Sequence, residues 1–492
     1  MTSIPHWLSH QAQTCPDHPA LRTHERVWTY RQLFVDVAKV ARSLDEFGVK
    51  PGDRVGVLSQ NSPLQVQLFF ALSLKNAIIV PLKTRLKPPE LESQISDAKC
   101  HHIFVQNKLA PKLSDRVKFA RFSDLSNDVE ESFIRKFSDP LITPNDTLSV
   151  FYTSGTTGKP KGAVLSYQNF LYSAMANAMN IGVREDDLWL ACLPLDHIGG
   201  FSIYTRSVIY GTSVFLQEKF DAKETLKILQ NNPVTIVSLV PTMLKRLLDL
   251  GLDIHSVSLR VILLGGARPE PELVTRALQR GLPVIRSYGM TETCSQVIAT
   301  PYQFLHQAPE SSGRPMGFTQ VKIVDENGSV LSKGIAGEIL IKSPTVMKEY
   351  WNDTQATSEV LDQDGWLHTR DYGYLDEREN LYTISRRENL IVTGGENVIP
   401  EEVESVLNMH PDIEVSCVFG IDASEWGQKV VAAIQINQSQ FDRGKVKKFL
   451  VARLANYKIP KEYFPIKELP RTGSGKINRA AIIKQYLSNI NT

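Results

Sequence analysis

The chain has 492 residues and is close to neutral, with 55 Lys and Arg residues against 53 Asp and Glu residues. A hydrophobic content of 42% and a charged content of 22% are ordinary for a globular protein with a sizeable core, and the length predicts two or three domains. Because there is no basic excess, we do not expect nucleic-acid binding.

The five cysteines are widely spaced and include no Cys-x-x-Cys pair. This pattern argues against a disulfide framework and against a structural zinc site, and it favours a reducing compartment. Residues 1–13 lack the basic region and apolar core of a signal peptide, and no apolar run approaches the ~18 residues of a membrane helix. We therefore expect a cytoplasmic protein with no membrane span.

Short apolar runs of β type alternate with helical segments along most of the chain. Strands are predicted at 55–59, 77–82, 149–154, 213–218, 235–240 and 261–266, and helices at 64–75, 222–231, 242–250 and 270–281. This alternation predicts an α/β fold with largely parallel sheets. Ligands of such sheets bind beyond the carboxyl ends of the strands, where several of these runs end in Gly- or Thr-rich turns.

From about residue 320 the pattern changes to short strands of antiparallel type, joined by a turn at Asn327-Gly328. A charged segment at 385–391 then leads to a helix start that is marked by Pro400 and the glutamates after it. We place a domain boundary in this region. Residues 1–387 are predicted to form a large N-terminal domain, and residues 388–492 a small α+β domain.

The segment FYTSGTTGKPKGAVLS, residues 151–166, combines glycines, hydroxyl side chains and lysines directly after an apolar run. It does not fit a Walker A loop, which needs glycine at Thr153 and Ser or Thr at Pro160. Proline also has no N–H to donate and cannot continue the helix of such a loop. Composition alone leaves open a phosphate-binding loop of another kind or a flexible turn.

The order Tyr-Thr-Ser-Gly-Thr-Thr-Gly-Lys-Pro-Lys-Gly resembles the phosphate loop of the adenylate-forming enzymes, which include acyl-CoA synthetases, firefly-type luciferases and peptide-synthetase adenylation domains. The resemblance covers nearly the whole chain. It implies an N-terminal domain of two α/β subdomains with a small β-barrel-like part, followed by a mobile C-terminal domain. The resemblance also implies a loop that closes over the ATP phosphates and contains Thr153, Ser154, Gly155, Thr156, Thr157, Gly158 and Lys161.

Two further motifs follow in the family's order. The run Ser287-Tyr288-Gly289-Met290-Thr291-Glu292 resembles the segment that stacks on adenine, reaches the α-phosphate through Thr291 and binds Mg²⁺ through Glu292. A carboxylate suits that hard cation. The run Gly265-Gly266-Ala267 resembles the segment that lines the acyl pocket and touches adenine, where small residues allow close backbone approach.

The remaining family motifs lie towards the C-terminus. Asp371 matches the aspartate that accepts both ribose hydroxyls, although Arg370 replaces the usual glycine before it. Arg386 matches an arginine that also reaches the ribose. Glu388 stands at the hinge position, where the family usually has Asp or Lys. Lys476, at the end of Arg-Thr-Gly-Ser-Gly-Lys, matches the catalytic lysine.

The residue types fit the two half-reactions of this family. A carboxylate attacks the α-phosphate of ATP to give an acyl-adenylate and pyrophosphate, and a thiol then displaces AMP. Negative charge gathers at the α-phosphate in the first step, so a positioned lysine and Mg²⁺ stabilise it. The resemblance implies that the small domain rotates about its hinge between the steps, presenting the lysine first and then opening a channel for the thiol.

Within the family, the chain most resembles the 2-succinylbenzoate–CoA ligases of menaquinone biosynthesis. The residues that carry this resemblance are 193–200, 206–211, 263–267 and 287–296. The implied substrates are ATP with Mg²⁺, coenzyme A and an aromatic dicarboxylate. Arg206 is the candidate for binding the second carboxylate, because a guanidinium group binds carboxylates bidentately.

The same resemblance assigns His197 to the mouth of the acyl pocket, where it shapes and gates the site. Gly265, Thr291 and Gln296 complete the predicted acid-binding residues. Gly199 stands where this subfamily commonly has serine.

Several alternatives stay open at this point. An acyl-CoA synthetase for another aryl or medium-chain acid, an enzyme that loads a carrier protein and a luciferase-type oxygenase would all share these motifs. A non-enzymatic binding protein is disfavoured, because Glu292 and Lys476 are both present. Arg206 is alternatively a surface residue paired with an acid, and His197 alternatively structural. A homo-oligomer is compatible with the family, but the sequence shows no interface.

Overall fold

The computed structural model describes most of the chain in two compact units. The first unit contains Met1–Val321, Ile341–His368 and Arg378–Leu381, and the second contains Lys322–Leu340, Thr369–Glu377 and Tyr382–Thr492. The described residues are 3–115, 117–125, 140–153, 160–304, 308, 310–386, 389, 391–393, 396–423, 427–436, 441–454, 456–472 and 476–490.

Strands and helices alternate along the first unit. Its strands are β1 (Ile4–Pro5), β2 (Pro19–Arg22), β3 (Val27–Thr29), β4 (Arg54–Leu58), β5 (Ile78–Leu82), β6 (His102–Val105), β7 (Ala120–Arg121), β8 (Leu141–Ile142), β9 (Thr147–Thr153), β10 (Lys161–Ser166), β11 (Leu188–Ala191), β12 (Ser213–Leu216), β13 (Ile236–Leu239), β14 (Val261–Leu264), β15 (Val284–Met290), β16 (Ser295–Ala299) and β17 (Arg314–Pro315). Its helices are α1 (Trp7–Thr14), α2 (Tyr30–Glu46), α3 (Pro63–Leu74), α4 (Pro88–Asp97), α5 (Tyr167–Ile181), α6 (Ile198–Tyr210), α7 (Ala222–Asn231), α8 (Pro241–Asp249), α9 (Pro271–Gln279) and α10 (Thr354–Ser358). Each strand and helix predicted before residue 290 is present, with ends that differ by no more than two residues.

One sheet of the first unit has six strands in the order β10-β9-β5-β4-β6-β7. Its central strands β5, β4 and β6 are parallel, and their apolar side chains are almost all buried, as expected for a sheet covered on both faces. At the edge, β10 pairs antiparallel with β9, and Thr153 lies opposite Lys161. The chain therefore leaves β9 and enters β10 at the same end of the sheet.

A second sheet has nine strands in the order β17-β16-β15-β14-β13-β11-β12-β2-β3. The run from β15 to β2 is parallel, whereas β16 returns antiparallel to β15. The carboxyl ends of the parallel strands meet at one edge, where ligands of α/β sheets usually bind. The segments at 265–267 and 287–290, which carry predicted site residues, lie at this edge.

The core of the first unit fixes helix α6 through one aromatic residue. The ring centre of Phe201 lies 5.2 Å from that of Phe69, 5.3 Å from that of Phe151 and 5.4 Å from that of Phe170. These partners belong to α3, β9 and α5, so Phe201 joins four elements. Such aromatic pairs bury large apolar areas. Helix α6 then ends at Gly211, whose left-handed backbone (φ of +75°) is a common helix terminus.

The second unit contains strands of 3 to 11 residues and three α-helices within its described residues. Its strands are β18 (Gln320–Val324), β19 (Gly337–Lys342), β20 (Leu367–Leu375), β21 (Leu381–Arg386), β22 (Ile391–Thr393), β23 (Glu396–Val398), β24 (Ile413–Ala423), β25 (Gly427–Ile436) and β26 (Glu462–Pro465), some of which begin or end in the first unit. Its helices are α11 (Pro400–Asn408), α12 (Arg443–Val451) and α13 (Arg479–Ile490).

Two sheets form from these strands. Strands β18-β19-β20-β21 make one, and β23-β22-β25-β24, with β26 beside β25, make the other. The predicted α/β class, with two α/β sheets, a smaller sheet after them and a small α+β part at the C-terminus, is confirmed. The domain boundary between residues 387 and 388 stays a prediction.

The turn at Asn327-Gly328 forms as predicted, but it does not join β18 directly to β19. Gly328 has the left-handed backbone that such a turn needs, with φ of +81°, and Val324 bridges Val330 across it. Strand β19 begins only at Gly337. The Asn-Gly pair therefore turns the chain locally, and further residues complete the connection.

Candidate active site

The chain beyond β14 passes very close to β15. Leu264 accepts a hydrogen bond from the Ser287 hydroxyl at 3.3 Å. A Cβ atom on Gly265 would lie 2.6 Å from that hydroxyl oxygen, and Gly266 has a left-handed backbone with φ of +78°. Both positions therefore favour glycine. With Ala267 next in the chain, this part of the sheet edge is lined by backbone and small side chains.

The turn after β15 is sharply folded. A Cβ atom on Gly289 would lie 2.1 Å from the Ser295 carbonyl oxygen, so only glycine fits there. Residues Thr291–Thr293 then form a 3-10 turn, and Cys294 and Ser295 have left-handed backbones, with φ of +52° and +87°. Non-glycine residues seldom adopt such conformations, which cluster at functional sites. Glu292 lies in the middle of this turn.

Glu292 is held by a segment that no sequence motif marked. Its Oε1 accepts a hydrogen bond from the Tyr350 hydroxyl at 2.7 Å, and its backbone carbonyl accepts one from the Met347 amide at 2.7 Å. No hydrogen bond to the second carboxylate oxygen is present among the described residues. That oxygen can serve as a ligand for a hard cation.

The same segment also runs beside β10, the strand that follows the phosphate-loop motif. Backbone hydrogen bonds of 2.7 to 3.0 Å join residues 348–351 to residues 162–164. The Lys161 ammonium lies 5.4 Å from the centre of the Tyr350 ring, within cation–π distance. Tyr350 thus contacts Lys161 with its ring and Glu292 with its hydroxyl. The two motifs, far apart in sequence, are neighbours in the structure.

His197 lies directly before helix α6. Its Nε2 is 3.8 Å from Oδ1 of Asp196, a buried carboxylate whose Oδ2 accepts a hydrogen bond from the Thr84 backbone amide at 2.9 Å. The His197 side chain is 39% exposed. The backbone of His197 is therefore fixed by the helix start, while its imidazole ring is accessible, as a residue at the mouth of a pocket requires.

Lys83, which the sequence analysis did not identify, lies at the carboxyl end of β5. Burial lowers the pKa of its ammonium group, while the negative charges of Asp196 and Glu292 act in the opposite direction. Lys83 therefore lies near both carboxylates. Its position immediately after a parallel strand of the six-stranded sheet is the signal that could have revealed it.

The two glycines at the start of α6 have different surroundings. A Cβ atom on Gly200 would lie 2.1 Å from the Pro194 carbonyl oxygen, so no side chain fits there. At Gly199 the nearest atom would be Leu193 Cδ1 at 3.7 Å, which is an ordinary contact. The serine that commonly occupies position 199 in the subfamily would therefore fit, and Gly199 is not required by packing.

Arg206 lies on α6 and is only 2% exposed. Its Nη2 donates a hydrogen bond to the Ser173 hydroxyl at 2.9 Å, whereas its buried Nε has no partner among the described residues. No Asp or Glu in the described ranges forms an ion pair with it. Burial lowers the pKa of Arg206, but a guanidinium group stays charged at neutral pH. The surface alternative for Arg206 is therefore wrong.

Polar but uncharged side chains accompany this arginine. Gln296 donates from Nε2 to the Asn177 side-chain oxygen at 2.7 Å, and Asn177 donates to the Tyr210 hydroxyl at 3.2 Å. Burial raises the pKa of Tyr210, and the positive charge of Arg206 acts in the opposite direction. Because a buried charge without a counter-ion is costly, these groups leave Arg206 in need of an anion.

Asp371 and Lys476 lie in the second unit. Asp371 is buried in β20, and its backbone amide donates to the Thr369 hydroxyl at 3.1 Å. Arg370 before it has φ of +59°, a conformation that favours the glycine usual at this position. Arg370 therefore holds this left-handed backbone within β20 without being glycine. Lys476 is exposed, and its carbonyl accepts a hydrogen bond from the Thr472 amide at 2.7 Å.

Some predicted site residues lie outside the described residues. They are Ser154, Gly155, Thr156, Thr157 and Gly158 of the phosphate loop and Glu388 of the hinge. Arg386 ends β21, and its side chain is likewise outside the description. The assignments of these residues stay predictions.

Sequence reasoning also missed Ser173 and Tyr350. Ser173 lies inside α5, where a serine gives no signal by itself. Tyr350 lies in an irregular segment, and its role depends on that segment running beside β10. Neither could be found without knowing which parts of the chain meet.

Comparison with known proteins defines the class. Residues 8–351 match the AMP-binding enzyme family, and residues 402–476 match the AMP-binding enzyme C-terminal domain. The chain therefore belongs to the AMP-binding enzyme family, and the resemblance to adenylate-forming enzymes is confirmed.

Particular relatives are similar over the full length. A 2-succinylbenzoate–CoA ligase from Bacillus cereus (strain Q1) is 38% identical over 480 residues, which cover 97% of this chain and 98% of the relative. A structure of o-succinylbenzoate CoA synthetase (MenE) from Bacillus subtilis in complex with the acyl-adenylate intermediate OSB-AMP has a TM-score of 0.91 and 35% identity, covering 98% of both chains. A structure of the same enzyme with ATP and magnesium ion has a TM-score of 0.89 and 35% identity, covering 97% and 99%.

Proposed function

We propose that this protein is an AMP-forming acid–thiol ligase that joins 2-succinylbenzoate to coenzyme A through an acyl-adenylate, as in menaquinone biosynthesis. Its substrates are the dicarboxylate, ATP with Mg²⁺, and coenzyme A, and its products include AMP and pyrophosphate. The full-length similarity to ligases and synthetases of that name supports the proposal.

The observation that carries the choice of acid is the buried guanidinium group of Arg206. Its charge has no counter-ion among the described residues, and its Nε has no acceptor. A ring carboxylate would supply both in a bidentate pair. A fatty acid or a simple aryl acid offers only the carboxylate that reacts at the phosphate, so it would leave this buried charge unpaired.

In the first half-reaction, the succinyl carboxylate of the acid attacks the α-phosphate of ATP and pyrophosphate leaves. Thr153 and Lys161, with the loop between them, hold the β- and γ-phosphates. The Ser287–Gly289 segment and Gly265–Ala267 provide the small residues and the aromatic ring that adenine contacts. Thr291 reaches the α-phosphate.

Glu292 fits the Mg²⁺ that accompanies ATP. Its Oε1 is oriented by Tyr350 at 2.7 Å, and its second oxygen is available within the described residues. No group of three or more His, Cys, Asp or Glu side chains in the described part of the chain could hold a metal alone. One carboxylate together with ATP phosphates is a usual binding mode for Mg²⁺, which supplies charge stabilisation at the phosphates.

His197 shapes the entrance of the acid pocket, and Gly265, Thr291 and Gln296 line its interior. In the second unit, Asp371 binds the ribose hydroxyls and Arg386 assists it. Lys476 stabilises the charge that develops at the α-phosphate. We keep residues 1–387 and 388–492 as the domains that move about Glu388 between the half-reactions.

Pyrophosphate release tests the proposal. The purified protein would be assayed with ATP and Mg²⁺ against 2-succinylbenzoate, benzoate, octanoate, acetate and several amino acids, each with and without coenzyme A. We expect CoA-dependent turnover with 2-succinylbenzoate alone. Turnover with another acid would support the enzyme class but contradict the assignment of 2-succinylbenzoate as the substrate. Turnover of no acid in the panel would contradict the proposed reaction.

No helix in the described ranges is both long and apolar enough to cross a membrane. A cytoplasmic location and a homo-oligomer are further parts of the proposal. Cell fractionation and light scattering of the purified protein, respectively, would test them.

A further inference from the structure

Ser173 connects Arg206 to the backbone turn that follows Glu292. Arg206 Nη2 lies 2.9 Å from the Ser173 hydroxyl oxygen, and that oxygen lies 2.9 Å from the Cys294 carbonyl oxygen. Arg206 and Ser173 are each 2% exposed, and Cys294 is fully buried. The three residues come from α5, α6 and the turn after β15, so this connection exists only in the folded protein.

The chemistry of the three groups fixes the direction of both hydrogen bonds. A guanidinium group can only donate, and a backbone carbonyl can only accept. The hydroxyl of Ser173 must therefore accept from Arg206 and donate its single proton to Cys294. Alanine would remove both bonds, whereas threonine would keep a hydroxyl for both. Among side chains of this size, only a hydroxyl or a thiol can fill this role.

The turn at Cys294 needs such support. Cys294 and Ser295 both have left-handed backbones, which L-residues hold only when surrounding contacts over-determine them. The Thr293 hydroxyl donates to the Ser295 carbonyl at 2.7 Å, and the Ser173 hydroxyl holds the Cys294 carbonyl. Ser173 thus contacts the turn two residues after Glu292.

We propose that Ser173 is a positioning residue that fixes the Arg206 guanidinium group against the Cys294 turn and so makes the site selective for a dicarboxylate. The hydrogen bond from Nη2 restrains the rotation of the guanidinium plane, while Nε has no acceptor among the described residues. This inference rests on the proposed function, because it assumes that Arg206 binds the ring carboxylate.

The test compares two acids in the pyrophosphate-release assay. One is 2-succinylbenzoate, and the other is 4-oxo-4-phenylbutanoate, which lacks only the ring carboxylate. In Ser173→Ala, kcat/KM should fall about 10-fold for the dicarboxylate, the size expected for one hydrogen bond to a charged group, and less than about 2-fold for the other acid. Ser173→Thr should restore most of the preference.

Ser213→Ala is a matched control. Ser213 is also a buried serine that donates to a backbone carbonyl, that of Pro19 at 2.6 Å, but it has no bond to an arginine among the described residues. The Ser213→Ala variant should leave the ratio of kcat/KM for the two acids unchanged. Thermal unfolding of each variant separates loss of folding from loss of selectivity.

The two proposals fail in different ways. If the unaltered protein does not prefer the dicarboxylate, the proposed function fails. If it does prefer the dicarboxylate but Arg206→Met leaves that preference intact, the assignment of the ring carboxylate to Arg206 fails, and the role of Ser173 fails with it. If that preference depends on Arg206 while Ser173→Ala lowers kcat/KM equally for both acids, or for neither acid, the role of Ser173 alone is overturned.

Discussion

The substitution Arg206→Met is the sharpest test of how the acid is recognised. It removes the charge and all five N–H donors while keeping a long side chain in the space that α6 provides. The guanidinium group is buried, so a ring carboxylate bound to it would be shielded from water. Removing one partner of such a buried pair costs about 2–5 kcal/mol, because the other charge is left unpaired.

This range brackets the direct Coulomb energy. Two unit charges about 4 Å apart interact by about 4 kcal/mol at the effective dielectric constant near a protein surface. The corresponding loss of kcat/KM for 2-succinylbenzoate is about 30- to 5000-fold. For 4-oxo-4-phenylbutanoate, which has no ring carboxylate, we expect a change of less than about 3-fold, within the usual range for a substitution of similar volume.

The assay is initial-rate pyrophosphate release at fixed MgATP and coenzyme A, with both acids and with Arg206→Lys as a second variant. Lysine keeps the charge but not the bidentate geometry, so its loss should be intermediate. Equal losses with the two acids would refute the assignment and make Arg206 a structural residue.

Stability gives an independent check of the same reasoning. A buried charge without a counter-ion destabilises the free protein, so Arg206→Met should leave the unfolding midpoint in urea unchanged or raise it. In the unaltered protein, the dicarboxylate should raise the thermal midpoint more than the monocarboxylate at the same concentration, because tighter binding stabilises the folded state more. A clear drop in stability on removing the arginine would contradict this account.

Further variants test the proposed catalytic residues and the packing of the fold. Lys476→Ala should abolish adenylate formation yet leave the attack of coenzyme A on preformed acyl-adenylate largely intact, as measured in separate half-reaction assays. Tyr350→Phe removes a hydrogen bond to Glu292 and should raise the Mg²⁺ concentration for half-maximal rate about 10-fold. Glu292→Gln should raise that concentration further. Gly199→Ala should stabilise the fold by about 0.5–1 kcal/mol, whereas Gly200→Ala should destabilise it by about 1–3 kcal/mol in urea titrations. Burial lowers the pKa of His6 from 6.5 to about 3, so the unfolded chain binds the extra proton. Stability should then fall by about 2 kcal/mol between pH 7 and pH 5, and His6→Gln should lack this loss.

The strands and motifs were predictable because they depend on local sequence. Residues 55–58 and 261–264, for example, include no polar side chain, which suits strands buried on both faces, and turn residues bound them. The glycines at 265 and 289 were predicted from motif order alone. The structure adds their physical reason, which is contact with Ser287 and with the Ser295 carbonyl.

The environment of Arg206 was harder to predict, although a signal was present. Helix α6 reads IGGFSIYTRSVIY and has no charged face, so a helix buried on all sides was the better expectation for it. An arginine inside such a helix must meet a polar partner. The sequence could not say which, because Ser173 and Cys294 reach it only through tertiary packing. The left-handed backbone at Cys294 could not be predicted from the sequence for the same reason.

The relation between the two nucleotide motifs shows what the rest of the chain contributes. Lys161 lies in β10 of the six-stranded sheet, and Glu292 lies in the turn after β15 of the nine-stranded sheet. Their motifs are far apart in sequence, yet both residues contact Tyr350. The segment that carries this tyrosine is hydrogen-bonded to residues 162–164 and to the Glu292 backbone at once. A shift of that segment would therefore move Lys161 and Glu292 together. The distance between them is set by residues outside every motif, so the motifs identify the chemistry while this connecting segment fixes its geometry.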